Sequence, residues 1–137
     1  MDLEFLFMVN KKRVLVIDDD LTVLRLLEKK LPEAGPYEII TASTGRGGLA
    51  EAIHSKPDVI LLDVMIPDKN GGEIAHLLSM REETKGIPII FISVLLEAGG
   101  HKRIEFNDHE YRAVPKPLYL PELLAQIRKV VNEHLKT

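Results

Sequence analysis

The chain has 137 residues, 45% of them apolar and 28% charged, with a formal net charge of −3. That length suits one domain with a real core and is short for two, and the slightly acidic balance supplies no basic stripe for a nucleic-acid surface. The absence of cysteine excludes a disulfide framework and thiolate zinc sites, and no apolar run reaches the roughly 20 residues that span a bilayer.

In chain order, residues 1–8 (MDLEFLFM) are apolar but carry Asp2 and Glu4 and lack a basic start, which argues against a signal peptide. Residues 1–10 are expected to be an N-terminal extension, with Met8 standing where a natural start would fall, and 11–137 a single domain. A first strand is predicted at 13–17 (RVLVI), followed by a helix on the stripe Leu21, Leu24, Leu27 and Leu31. A second strand falls at 37–42 (YEIITA). The helix after it opens on Thr44-Gly45-Arg46-Gly47-Gly48, where each interior glycine costs ~1 kcal/mol against alanine. Without a P-loop lysine or a dinucleotide fingerprint, that glycine run reads as a loose turn. A third strand at 58–62 (DVILL) precedes a helical stripe of Ile74, Leu77, Leu78 and Met80. A fourth strand is expected at 87–92 (IPIIFI). Residues 95–103 (LLEAGGHKR) have adjacent glycines and little periodicity, so the fourth helix is expected to be short, displaced or partly unwound. The fifth strand, 111–114 (YRAV), leads to a last helix with Leu120, Leu123, Leu124, Ile127, Val130 and Val131 inward and Pro121 in its first turn.

Most of these strands are continuous apolar runs, as in strands buried on both faces. Strand and helix alternating five times imply an α/β domain, a doubly wound (βα)5 unit with a parallel sheet, helices on both faces and right-handed crossovers. In such sheets functional groups gather beyond the carboxyl ends of the strands. There this sequence has Asp18-Asp19-Asp20 after strand one, Asp63 after strand three, Ser93 after strand four and Lys116-Pro117 after strand five. Were strands one and three adjacent, Asp18, Asp19 and Asp63 would converge, with Ser93 and Lys116 opposite. Two like charges ~4 Å apart repel by ~4 kcal/mol at an effective dielectric near 20. Three carboxylates and one lysine leave a charge of −2 on such a pocket, which a Mg²⁺ ion would cancel. The same groups suit phosphoryl transfer, with a carboxylate as nucleophile. Asp20 reads as a helix cap. The five histidines, His54, His76, His101, His109 and His134, lack metal-ligand spacing and read as surface residues.

The segments VLVIDDD, LLDVMIPDKNGG, FIS and PKP, in this order and each at a strand end, resemble the receiver domain of bacterial two-component response regulators. The likeness spans about residues 12–135. It implies a flavodoxin-like, five-stranded parallel sheet of order 2-1-3-4-5, and a cytoplasmic signalling protein that is not an enzyme in the ordinary sense. It implies a phosphoryl group taken from a sensor histidine kinase or phosphotransfer protein onto Asp63, with Mg²⁺ or Mn²⁺. Asp18, Asp19, Asp63 and the main-chain carbonyl of Met65 would hold the metal, Ser93 would be the switch hydroxyl, and Lys116 would pair with a phosphoryl oxygen. A cis Lys116-Pro117 peptide and a loop shaped by Pro67 and Gly71 belong to the same pattern. Direct contact with nucleic acid or membrane is not implied; a downstream target or an output domain elsewhere is. Leu118, Tyr119 and Leu120 are either core or part of the fourth-helix to fifth-helix face through which receivers often dimerise.

The sequence departs from the pattern at Ala113, where an aromatic switch partner usually stands; Tyr111 lies two residues earlier on the same predicted strand face. Val94 is larger than the usual alanine and would narrow access to the phosphoryl group. Pro115 fits an edge position. Met65 and Leu95 occupy the positions that tune dephosphorylation. Both are apolar, so a long-lived phosphoryl group is expected. Two rival readings stand beside this one. Asp18-x-Asp20-x-Thr22 also matches the first motif of haloacid-dehalogenase-type phosphatases, with Asp18 as nucleophile, although no acidic strand end follows Lys116. The other is a receiver-like binding module that works without phosphorylation.

Overall fold

The computed structural model describes residues 10–94 and 103–135. Six strands form one sheet: β1 (Lys12–Ile17), β2 (Tyr37–Ala42), β3 (Val59–Asp63), β4 (Ile89–Ser93), β5 (Arg103–Phe106) and β6 (His109–Pro115). Four helices are described: α1 (Leu21–Ala34), α2 (Gly45–Ser55), α3 (Gly71–Ser79) and α4 (Leu120–Leu135). The sheet order is β2-β1-β3-β4-β6-β5, parallel throughout except for the antiparallel β5–β6 pair.

The expectation of five parallel strands in the order 2-1-3-4-5 is therefore corrected. The first four strands and the expected fifth, now β6, lie as anticipated, but a sixth strand is added at the edge. Among the described residues no helix stands between β4 and β6. Residues 95–102 of the expected fourth helix lie outside the described residues, and Arg103 already belongs to β5. The described part of this connection is a hairpin of β5 and β6. Its turn, Asn107-Asp108, has φ of 52° and 62°, the positive pair that a two-residue type I′ hairpin demands. The expected fourth-helix side of a fourth-helix to fifth-helix dimer face therefore lies outside the described residues.

The central strands β1, β3 and β4 bury both faces along most of their length, which is why their runs read as continuous. On one face Val14, Val16, Val59, Leu61, Ile90, Ile92 and Val114 pack under α1 and α4. On the other Leu15, Ile17, Ile60, Leu62 and Phe91 pack under α2 and α3. At the far end of that second face the hairpin supplies the cover. Phe106 and Tyr111 meet Phe91 with ring centroids 4.9 and 5.2 Å away. Pro115 lies past Arg112, the last β6 residue paired with β5. Among the described residues the strand end carrying Pro115 is thus paired on the β4 side alone, through Ser93, where a missing N–H is tolerated.

The helix starts are set by side chains. Asp20 caps α1 by accepting from Thr22 N at 3.0 Å, and Asn70 caps α3 by accepting from Glu73 N at 3.2 Å. The Gly45–Gly48 run, expected as a loose turn, is the first turn of α2. Gly48 is needed there, because a Cβ would come within 2.5 Å of Ile17.

At Gly71 a Cβ would stand 2.5 Å from the main-chain oxygen of Asp63 and 2.9 Å from Val64 Cα. Backbone cannot yield as a side-chain tip can, so Gly71→Ala should cost about 2 kcal/mol despite alanine's better helix propensity. At Gly86 an added Cβ meets nothing within 4 Å, and Gly86→Ala should shift stability by less than about 0.5 kcal/mol. Urea unfolding of both variants checks the pair; equal effects would contradict the close approach at Gly71.

Candidate functional site

β1 and β3 are adjacent and in register from Val14↔Val59 to Ile17↔Leu62. Their carboxyl ends therefore finish side by side, and the next residues carry the acids. Asp18, Asp19 and Asp63 each offer a carboxylate oxygen within 4.8 Å of the others. Asp18 is fully buried, Asp63 is 7% exposed, and Asp19 is exposed.

Lys116 closes the site from the other side. β6 pairs with β4 so that Ser93 stands opposite Pro115, and Lys116 N donates to the Ser93 carbonyl at 2.9 Å. From there the Lys116 Nζ lies 2.7 Å from Asp18 Oδ2 and 3.0 Å from Asp63 Oδ2. The Lys116-Pro117 peptide is cis, as the resemblance implied. The other oxygens are held by backbone: Asp18 Oδ1 accepts from Asp20 N at 2.9 Å, and Asp63 Oδ1 from Met65 N at 3.1 Å. Ser93 is fully buried at the end of β4. Met65 is exposed. Leu95 lies outside the described residues. Val94 is exposed and, with Asp20, Leu26, Lys116 and Leu118, lines an apolar groove beside the acids.

Burial pushes the Asp18 carboxyl up to about 6, against hydrogen bonds from Lys116 and Asp20 N that favour its ionised form; Asp63 adds to the rise. For Lys116, burial works to depress the amine, but the hydrogen bonds and charges of Asp18 and Asp63 outweigh it, and the net shift is upward. The amine is therefore a fixed cation between two acids. With all three aspartates ionised the group still carries −2 after its pairing with Lys116. Three convergent hard oxygen donors with residual negative charge fit a small divalent cation.

Among the described residues no histidine joins this cluster, and His54, His76 and His109 are exposed. Asp68, unremarked in the sequence, accepts from the backbone of Gly45 and Arg46 at 2.7 and 3.0 Å. Those bonds hold its carboxyl below the usual range.

A parallel α/β sheet with acids at two neighbouring strand tips and a lysine two strands away defines a class, that of phosphoryl-accepting signalling domains. The family model described as "Response regulator receiver domain" matches residues 14–128, and the chain belongs to that family. It is 43% identical over 121 residues to the response regulator PleD of Caulobacter vibrioides, covering 88% of this chain and 26% of PleD. It is 34% identical over 122 residues to the transcriptional regulatory protein KdpE of Mycobacterium tuberculosis, covering 88% and 51%. The chain thus spans about half or less of these relatives. Among solved structures it is similar to a CheY-like receiver domain protein from Methanospirillum hungatei, with TM-score 0.76, 24% identity and 93% and 98% of the two chains covered. It is also similar to response regulator TrrA from Thermotoga maritima in complex with Mg²⁺–BeF, with TM-score 0.70, 27% identity and 87% and 98% covered. Receiver domains of two-component systems are signalling modules that accept phosphoryl groups and bind Mg²⁺ at an acidic site.

The raised Asp18 carboxyl bears on stability. A carboxyl at about 6 in the folded chain, against 3.8 ordinarily, opposes folding when ionised. That cost is full above about 6 and absent below the ordinary value. Asp18→Asn should therefore raise the stability of the metal-free protein near pH 7 by on the order of 2 kcal/mol and lose the advantage near pH 4. Denaturant titrations at the two pH values test this; a variant less stable than wild type near neutrality would refute it.

Proposed function

We propose that Asp63 is the phosphoacceptor of this receiver domain and that Asp18, Asp19 and Lys116 serve it. One observation carries the choice: of the two acids in contact with Lys116, Asp63 keeps 7% of its surface exposed and Asp18 none. A nucleophile must be reached by the donor's phosphorus, and the buried Asp18 cannot be. This also counts against a phosphatase using Asp18.

In the proposed step a carboxylate oxygen of Asp63 attacks phosphorus. A P–O bond forms to Asp63 while the donor's bond to phosphorus breaks, and its electron pair leaves with the donor. The Lys116 amine lies 3.0 Å from Asp63 Oδ2, close enough to take up charge on a phosphoryl oxygen. The N–H of Met65 holds Asp63 Oδ1 and fixes the carboxylate's rotation. Ser93, at the neighbouring strand end, is the proposed switch hydroxyl. Asp18, Asp19, Asp63 and the main-chain carbonyl of Met65 would hold Mg²⁺ or Mn²⁺, which supplies charge stabilisation to the transferring group.

The proposed donor is a sensor histidine kinase or phosphotransfer protein, and the proposed recipient of the signal is a downstream target or an output domain. A cytoplasmic setting accords with these partners, and among the described residues no helix is long and apolar enough to cross a membrane. Residues 11–137 are taken as the receiver and 1–10 as an extension.

Intact mass after incubation with acetyl phosphate and Mg²⁺ tests the assignment. Wild type should gain one phosphoryl adduct and Asp63→Asn none; an adduct on the variant would remove Asp63 from the role. After donor removal the adduct should persist for on the order of hours, since the apolar Met65 cannot orient an attacking water. Decay within about a minute would defeat that reading. A chain that takes no adduct at all would be a phosphorylation-independent module, the reading that Ala113 and the hairpin favour.

A further inference from the structure

The loop from β3 to α3, residues 64–70, is fastened at three points. Ile66 is buried in the second core layer, and Asn70 caps the helix that follows. Between them Asp68 reaches across to a different helix. Its Oδ1 accepts from Gly45 N at 2.7 Å and its Oδ2 from Arg46 N at 3.0 Å. These are the first two amides of α2, which have no acceptor inside their own helix. The third, Gly47 N, donates to Thr44 Oγ1 at 3.0 Å. The cap of α2 is thus divided between a residue of its own segment and one supplied by the loop after Asp63.

The seat is shaped for this contact. A Cβ on Gly45 would meet Ile74 Cδ1 at 2.8 Å, Lys69 Cβ at 3.0 Å and Asp68 Oδ1 at 3.2 Å. Both oxygens of an ionised carboxylate engage adjacent N–H groups at a helix start, where bond strength and helix dipole act together.

We propose that Asp68 is a positioning residue for the phosphoryl-acceptor site: its two-oxygen grip on α2 fixes the loop that carries Met65. That residue's N–H holds Asp63 Oδ1 at 3.1 Å, and its carbonyl is the one proposed for the metal. The inference rests on the proposed function for what the loop positions, and on geometry alone for the fastening. A purely structural Asp68 would stabilise α2 and nothing more. Thr44 is the natural control, since it caps the same helix from outside the loop.

The experiment compares the full chain with Asp68→Ala, Asp68→Asn and Thr44→Ala. Amide hydrogen exchange is measured without metal, and Mg²⁺ affinity by titration. Asp68→Ala should speed exchange across residues 64–70 by about tenfold and weaken Mg²⁺ binding by about tenfold, the size of lost outer-shell support. Asp68→Asn keeps one acceptor oxygen and should fall between. Thr44→Ala should lower melting temperature while leaving both readouts within about twofold. Equal effects from Asp68→Ala and Thr44→Ala, or unchanged exchange at 64–70 in both Asp68 variants, would overturn the proposal. If wild type binds no Mg²⁺ and takes no phosphoryl group, the reading of the site fails; the exchange comparison then still decides whether Asp68 fastens the loop.

Discussion

The structure turns on the Lys116 amine, seated 2.7 Å from one buried carboxylate and 3.0 Å from another. Neighbouring parallel strands end less than 5 Å apart, so acids at the tips of β1 and β3 must repel. Burying them without a counter-charge would cost several kcal/mol per ion. The lysine meets that need only because β6 lies next to β4 and in register with it, so the chain past Pro115 emerges beside Ser93. Sheet order, strand length and the site's electrostatics are one constraint seen at three scales. The lysine leaves the balance incomplete, and the residual negative charge is what makes the site a place for a cation.

Much of this was legible in the sequence. Strands buried on both faces must be apolar at nearly every position, and the buried stretches of β1, β3 and β4 appear as such runs. Asp18, Asp63 and Lys116 were readable because each stands at the carboxyl end of an apolar strand, where a charged residue has no packing reason to be. Asp20 was readable as a cap because the helical stripe begins one residue later. The hairpin was not. Alternation of strand and helix favoured a crossover after β4, and the turn lacks the glycine that marks most two-residue hairpins. Asn107 and Asp108 both tolerate positive φ, but nothing else in the segment announces it. Asp68 was hidden for another reason: its partners lie 23 and 22 residues away in the chain, and no local period links a loop acid to a glycine run. The same bond explains why that run is helical, since its orphan amides find acceptors in Asp68 and Thr44.

The hairpin and the acid site are not separate modules, because the first turn of α3 serves both. Gly71 lets the helix begin against the main-chain oxygen of Asp63, and its N–H donates to the Val64 carbonyl at 2.8 Å. Gly72, the next residue, leaves the space that the Phe106 ring fills; a Cβ there would stand 2.5 Å from it. Phe106 in turn packs on Phe91, and Phe91 on Tyr111. Phe91 also stands 3.1 Å from where a Cβ on Gly71 would project. Two adjacent glycines thus accept a backbone from one side and an aromatic ring from the other. Ala113 belongs to the same arrangement. It is fully buried and paired with Phe91 across the β4–β6 ladder, so a large ring at 113 would compete for volume that Phe91, Phe106 and Tyr111 already hold. The missing aromatic at 113 and the hairpin that covers Phe91 are therefore parts of one packing arrangement, with the aromatic mass shifted from the strand end next to the pocket to the hairpin.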